Sequence, residues 1–204
     1  MARSADASRA RIWSAAATEF GARGFEGAKV DRIALAAKAN KAMIYYHFKS
    51  KAGLYNAILH DTFAAIVEAI RAVRASGGTA ESQLRAYVEA VARVGLERPY
   101  FPSIWLRELA DGGRHLDPAV ATFFREVLTH VGDMLREGAA VGTMRPVHPF
   151  LVQMGIVGPL TLFIVSQPLR ARFAQLPSGQ DVTLEAVIQH VQTMVLGGVA
   201  RQTP

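Results

Sequence analysis

The chain has 204 residues, half of them hydrophobic and a fifth charged, which suits one sizeable core or a small module on a larger body and excludes a disordered polyelectrolyte. It has no cysteine, which excludes a disulfide scaffold, a cysteine-built zinc finger and thiol catalysis. The net charge of +6 points to a polyanionic partner, and the opening residues lack the apolar run of a secretory signal, so a cytoplasmic location is expected.

Almost every segment has helical character: alanine is abundant, two-residue alternation is rare, and apolar residues return every three or four positions. The first helix is expected over Ala10–Phe20, with Ile12, Ala15, Ala16 and Phe20 as its apolar stripe and Gly21 and Gly24 as its end. Short helices follow over Val30–Ala37, with Val30, Ile33, Ala34 and Ala37 inward, and over Lys41–Phe48, with Ile44 and Phe48 inward and Lys41, Tyr45 and His47 outward. Ser50 is placed to cap a long fourth helix from Lys51 to about Ala75, ended by Gly77-Gly78. At 1.5 Å per residue this helix reaches about 37 Å. Thr79 caps a fifth helix to about Glu97, and a short sixth covers Pro102–Ala110 before Asp111-Gly112-Gly113. Asp117-Pro118 opens a seventh, through Phe123, Phe124, Val127 and Val131 to Gly138. An uncharged eighth segment spans Phe150–Leu169. After a loop around Leu176–Gln180, Asp181 caps a last helix whose stripe is Leu184, Val187, Ile188, Val191, Met194 and Val195. The fold expected is all-α, with about nine helices.

All five lysines fall between Lys29 and Lys51; Met1–Asn56 carries ten Lys/Arg against four Asp/Glu, and the remaining 148 residues carry thirteen of each. A basic first quarter on a neutral remainder reads as a nucleic-acid module, residues 1–50, joined to a separate body, residues 51–204. Within the first quarter, Ile33-Ala34 and Ala37 give a bracing helix its packed face, and Lys38-Ala39-Asn40 supplies a turn. Ala42 keeps the next helix slim where it would enter a groove, and Asn40 caps it. These are the requirements of a helix-turn-helix. Lys29, Lys41, Lys49 and Lys51 lie where phosphates would flank that groove. Singly, Tyr45, Tyr46 and Phe48 suit a core and the lysines a solvated face; spacing and confined charge together favour DNA.

The order Gly-Phe…Ile-Ala…Asn-Lys…Ile-Tyr-Tyr-His-Phe-Lys-Ser-Lys between Gly24 and Lys51 resembles the tetracycline-repressor (TetR) family of bacterial transcription regulators, over about Arg9–Leu59. The resemblance implies an all-helical homodimer with an N-terminal three-helix DNA-binding domain and a larger C-terminal domain that binds a small effector and dimerises. It implies that Lys41, Ala42, Tyr45, Tyr46 and His47 face DNA and that Lys51 holds a phosphate. Three positions depart from the family's habit: Lys38 stands where Gly usually takes a left-handed conformation, Lys29 where a hydroxyl residue is usual, and Ala42 where Gly is common.

In the larger body, Tyr87, Tyr100, Phe101, Trp105, Phe123, Phe124, Met134, Met154 and Phe163 offer an apolar lining, with Arg107, Glu108, His115 and His130 as polar anchors. Tyr87, Phe101, Trp105, Glu108, Phe124, His130 and Met154 are the expected effector site. Each of these aromatics also suits a plain core. Phe150–Leu169 has the length of a membrane span, but Gln153, Gly155, Gly158-Pro159, Ser166 and Gln167 suit a buried helix at a subunit interface better. Residues of about 150–170 and 182–197 are therefore expected to form a four-helix homodimer contact, with no membrane. No metal-ligand spacing, phosphate loop or serine-nucleophile context occurs, so no catalytic residue, metal or cofactor is expected. The function expected is a ligand-responsive regulator, a repressor released from a palindromic double-stranded DNA operator by a small hydrophobic or amphipathic molecule. The competing readings are a small-molecule-converting helical enzyme and a membrane-associated helical protein.

Overall fold

A computed structural model describes residues 2–173 and 182–201. Among these it holds ten α-helices and no strand, only a single bridge between Met144 and Ala200. The chain forms two compact units: the stretch up to Phe63 with Arg98–Val120, and Ala64–Glu97 with the stretch from Ala121 onward.

The first unit is built from α1 (Ala2–Gly27), α2 (Val30–Ala36), α3 (Lys41–Phe48), the first half of α4 (Lys51–Ala75) and α6 (Phe101–Ala110). The three- and four-residue spacing puts Ile12, Ala16 and Phe20 on one face of α1, where they are buried with Ile33 and Ala34 of α2, Ile44 and Phe48 of α3, and Leu54, Tyr55 and Ile58 of α4. Burying each large member contributes on the order of 1.5–3 kcal/mol. Ser50 caps α4, its hydroxyl accepting from the Gly53 N–H at 2.9 Å. A Cβ at Gly53 would lie 2.2 Å from the Phe48 carbonyl oxygen, so the chain can turn into α4 this tightly only with glycine there.

The second unit comprises the rest of α4, α5 (Ala80–Glu97), nearly all of α7 (Ala119–Ala140), α8 (Pro149–Val165), α9 (Gln167–Phe173) and α10 (Leu184–Val199). α5, α8 and α10 pack on one another around Leu84, Tyr87, Val88, Ile156, Leu160 and Val191. The buried Tyr87 hydroxyl donates to Gln153 at 3.0 Å, which satisfies both groups. Arg71 and Arg74 of α4 pair with Glu126 and Glu137 of α7, and the turn after α7 is tied to the end of α10 by Arg145 N–H to Val199 O at 2.9 Å.

Four expectations change. The first helix does not run Ala10–Phe20: it begins at Ala2 and continues through Gly21 to a break at Gly24 (φ 68°), because Gly21 is needed for close packing, with Tyr100 Cβ 3.0 Å from where its own Cβ would be. The helices number ten among the described residues rather than nine, since the uncharged segment Phe150–Leu169 breaks at Ser166 and bends by 57° into α9. Pro168 cannot extend the ladder, and Arg170 covers the end of α8 by donating to Ser166 Oγ at 2.7 Å and to the Phe163 carbonyl. Thr183 caps the last helix, accepting from Ala186 N–H at 3.2 Å; Asp181 and the Leu176–Gln180 loop lie outside the described residues. In α10 the buried stripe is Val191, Val195, Leu196 and Val199, with Met194 turned outward. No single described helix is long and apolar enough to cross a membrane.

Candidate nucleic-acid interface

α1 holds the two short helices in place through polar side chains as well as its apolar face. Glu19 accepts from the Lys29 N–H at 3.2 Å and from Arg32 Nε at 2.6 Å, with Arg23 Nε at 3.4 Å. Lys29 gives α2 no side-chain cap, so this carboxylate serves an N–H that the helix start leaves without an intrahelical partner. Burial pushes the Glu19 carboxyl up, but the hydrogen bonds from Arg32 and Lys29 and the charges of Arg32 and Arg23 outweigh it and hold it below the usual carboxylate range. Arg11 Nε, also from α1, donates to the Ala37 carbonyl at 3.2 Å and pins the turn.

In that turn Lys38 adopts φ 48°, its N–H reaching Leu35 O, and the Ala39 N–H reaches Ala34 O at 3.0 Å. The left-handed conformation costs a non-glycine residue about 1–2 kcal/mol. Asn40 then caps α3, its side-chain oxygen accepting from Ala42 N–H at 2.9 Å. α3 buries Ile44 and Phe48 and leaves Lys41, Ala42, Tyr45 and Tyr46 on the outside, Tyr45 at 43% and Tyr46 at 68% exposure. A large aromatic left this open on a helix whose other face is core is available for contact. Lys49 follows with φ 67°, a second strained lysine.

Three lysines have intramolecular partners, and the Lys49 ammonium donates to the Tyr46 carbonyl at 3.4 Å. Lys51 Nζ stands 4.6 Å over the Phe25 ring and 3.5 Å from the Glu26 carbonyl, which fixes its head beside the start of α4. Lys41 Nζ lies 2.7 Å from Asp31 Oδ1 of α2; that hydrogen bond, then the Asp31 charge, hold its ammonium above the usual lysine range. Lys29 is exposed. His47 is only half-buried and does not point freely outward: its Nε2 is enclosed without a hydrogen-bond partner, and its ring meets Tyr46 edge-on at 5.1 Å.

The residues expected to hold an effector divide between the units. In the first, Phe101 and Trp105 stack at 6.2 Å and both meet Phe63 edge-on. Glu108, 1% exposed, already accepts from the Tyr55 hydroxyl at 2.6 Å and faces His115 Nδ1 at 2.9 Å, while His115 Nε2 faces Glu26 at 3.2 Å. Arg107 beside it donates to the Gly21 and Ala22 carbonyls of α1. In the second unit, Tyr87 is bonded to Gln153, His130 faces Glu126 at 3.8 Å, and Phe124 and Met154 are half-buried. Sequence reasoning missed the Glu19 hub, the Asp31–Lys41 pair and the Glu108 network. A signal existed for the first two, since Glu19 and Asp31 are among only four acids in the basic first quarter.

A bracing helix, a pinned turn and a capped second helix with an open outer face define a helix-turn-helix carried on a larger helical body. The model of the tetR family of bacterial regulatory proteins matches residues 12–58, the stretch from mid-α1 into α4. The HTH-type transcriptional repressor NicS of Pseudomonas putida is 30% identical over 148 residues, which cover 72% of this chain and 64% of NicS. The chain thus spans less than two thirds of the length of the curated relatives it matches. Among solved structures, the transcriptional regulator SCO4942 of Streptomyces coelicolor is 26% identical with a TM-score of 0.69, over 96% of this chain and 99% of that one. A tetR-family regulatory protein of Rhodococcus RHA1 shares the fold at 20% identity and a TM-score of 0.78, over 96% and 98%. Residues 12–58 therefore carry the DNA-binding domain of the tetR family of bacterial regulatory proteins, and the chain as a whole is similar to regulators of that family.

Proposed function

We propose that the protein is a DNA-binding transcriptional regulator, a repressor that binds a near-palindromic operator as a homodimer and leaves it when a small hydrophobic or amphipathic effector binds. The observation that carries this reading is the outer face of α3: Lys41, Ala42, Tyr45 and Tyr46 lie open over a buried Ile44 and Phe48, in the one stretch of chain that holds every lysine. On this reading Lys41, Ala42, Tyr45 and Tyr46 meet the major groove. Lys29, Lys51 and the start of α3 capped by Asn40 meet phosphates, and His47 contributes through its outer edge and by supporting Tyr46.

Support for the dimer comes from α8 and α10. Leu151, Gly155, Gly158 and Leu162 share a face of α8, with the two leucines 64% and 59% exposed. Met194, Gly197 and Gly198 do the same on α10, and a Cβ added at Gly158, Gly197 or Gly198 would meet nothing. Helices about 150–170 and 182–197 would close a four-helix contact there. The two α3 helices of such a dimer must lie about 34–36 Å apart, or a multiple, to enter successive grooves. Phe101, Trp105 and Phe63, all buried, are the aromatic cluster that the effector would enter, whereas Glu108 serves Tyr55 and His115. For a hundredfold release the effector must favour the non-binding shape by about 2.7 kcal/mol.

The test is retention of sheared genomic DNA on the immobilised protein, followed by sequencing and by titration of the recovered fragment. Lys51→Ala should weaken binding to all sequences alike and reduce the salt slope by about one unit. Tyr45→Ala should lower affinity and change sequence preference. Two variants that bind as the parent does across a salt series would overturn the assignment of this face.

A further inference from the structure

Asp31 is an acid placed, on the assignment above, beside the DNA-facing surface of a basic module, where it would repel phosphates. Its position in the fold is fixed. It lies in the first turn of α2, whose start is held to α1 by Glu19 through the Lys29 N–H and Arg32. From there its carboxylate reaches Lys41, the first residue of α3, at 2.7 Å. Lys41 stays 48% exposed in this pair, and an ammonium has three donors, so the contact occupies one and leaves others open to a ligand. A lysine stem is flexible and its charge compact, which makes a free lysine a good binder of any phosphate and a poor reader of base edges. The N-terminal residues of a recognition helix are the ones that reach base edges, where a lysine recognises guanine O6 and N7.

We infer that Asp31 is a specificity-determining residue: it positions Lys41 for a base edge and withholds it from phosphates of non-operator DNA. The inference rests on the proposal that α3 reads DNA. On a non-specific duplex a phosphate that met Lys41 would stand beside the Asp31 carboxylate and be repelled by it, so the pair there releases little net counterion. On the operator the pair stays formed, and the fixed ammonium meets its base.

The experiment compares the parent, Asp31→Asn, Lys41→Gln and the double variant on the recovered operator fragment and on a scrambled duplex of equal length, over a salt series. With Asp31→Asn, binding to the scrambled duplex should tighten about two- to fivefold, the range of one exposed ion pair, and its salt slope should steepen by about 0.9. Operator binding should not tighten, so the specificity ratio falls. In the Lys41→Gln background, Asp31→Asn should leave the ratio unchanged, and Asp31→Glu, which keeps the carboxylate, should retain most of the parent ratio. Equal tightening on both duplexes, no change on either, or the same fall in ratio without Lys41 would each overturn the inference while leaving DNA binding intact. A parent that prefers no fragment would instead overturn the DNA-binding reading on which it rests.

Discussion

Replacing Glu108 tests the buried network of the first unit. The carboxylate is 1% exposed, and its Oε1 accepts the Tyr55 hydroxyl at 2.6 Å and faces His115 Nδ1 at 2.9 Å. Glu108→Ala leaves both groups without a partner in a closed space that also gains a void. A buried unsatisfied polar group costs about 1–3 kcal/mol and two are left here, so a loss of about 4 kcal/mol is expected. Tyr55→Phe removes one donor and leaves the carboxylate with His115, at about 1–2 kcal/mol. In the double variant the orphaned hydroxyl is gone, so the two losses should fall short of their sum by about 1–2 kcal/mol. The assay is urea unfolding followed by tryptophan fluorescence. Trp13 and Trp105 are the chain's two tryptophans and both lie in the first unit, so the signal reports that unit. A Glu108→Ala loss under about 1 kcal/mol, or additivity within about 0.5 kcal/mol, would refute the reasoning. Burial first, and then Glu108, raise the Tyr55 pKa above its ordinary value of 10. The bond therefore contributes fully below pH 10 and is lost as pH rises beyond it, and Tyr55→Phe should flatten that alkaline loss.

Lys38→Gly should raise stability by about 1 kcal/mol, since φ 48° then carries no Cβ strain, and should lower affinity for any duplex through the lost charge; urea melts and a salt series check the two parts. Gly158→Leu should leave helical content unchanged, because a Cβ there meets nothing within the chain, but should convert a dimer to monomer in sedimentation equilibrium. The Glu19 carboxyl is held below its ordinary range, so its contribution to docking α2 on α1 is present above the unfolded pKa near 4.5 and is lost as pH falls through the lower folded value. Glu19→Gln should remove that acid-sensitive component from fluorescence-monitored stability between pH 5 and pH 3, roughly the window of carboxylate titration.

Much of the local architecture was legible because it depends on neighbours in sequence. The stripes of α2 and α3, the Asn40, Ser50 and Thr79 caps and the glycine stop after α4 follow from spacing and from a side chain that reaches an N–H two or three residues on. The errors arise where a distant residue decides the outcome. Gly21 looks like a helix end until Tyr100 is known to pack on it, and Met194 looks like core until α10 is placed on α5 and α8. Glu108 is a candidate ligand anchor as a polar residue among aromatics in sequence, and its place in the buried network with Tyr55 and His115 shows only in the fold. Its partners lie 53 residues back and 7 residues on, and no periodicity links them.

The same long-range contacts bear on where the DNA-reading part ends. By charge and motif it ends at Ser50, yet by packing the first unit takes in α4 to Phe63 and Arg98–Val120 as well. The difference has a physical origin. Phe20 and Phe25 at the end of α1 pack edge-on against Tyr55 at 4.9 and 5.1 Å, and Tyr55 is held by Glu108 of α6. Arg107 in turn donates to the Gly21 and Ala22 carbonyls. A chain cut after Ser50 would expose Phe20 and part of the α1 face, removing several large buried side chains from a piece too small to tolerate the loss, at about 1.5–3 kcal/mol each. The fragment 1–50 should therefore show little helical circular dichroism at 25 °C and no cooperative melt, whereas the full chain should melt cooperatively. A fragment that folds by itself would mean that α4 and α6 only rest against a finished module, and that Arg107 and Glu108 can move without disturbing the position of α3.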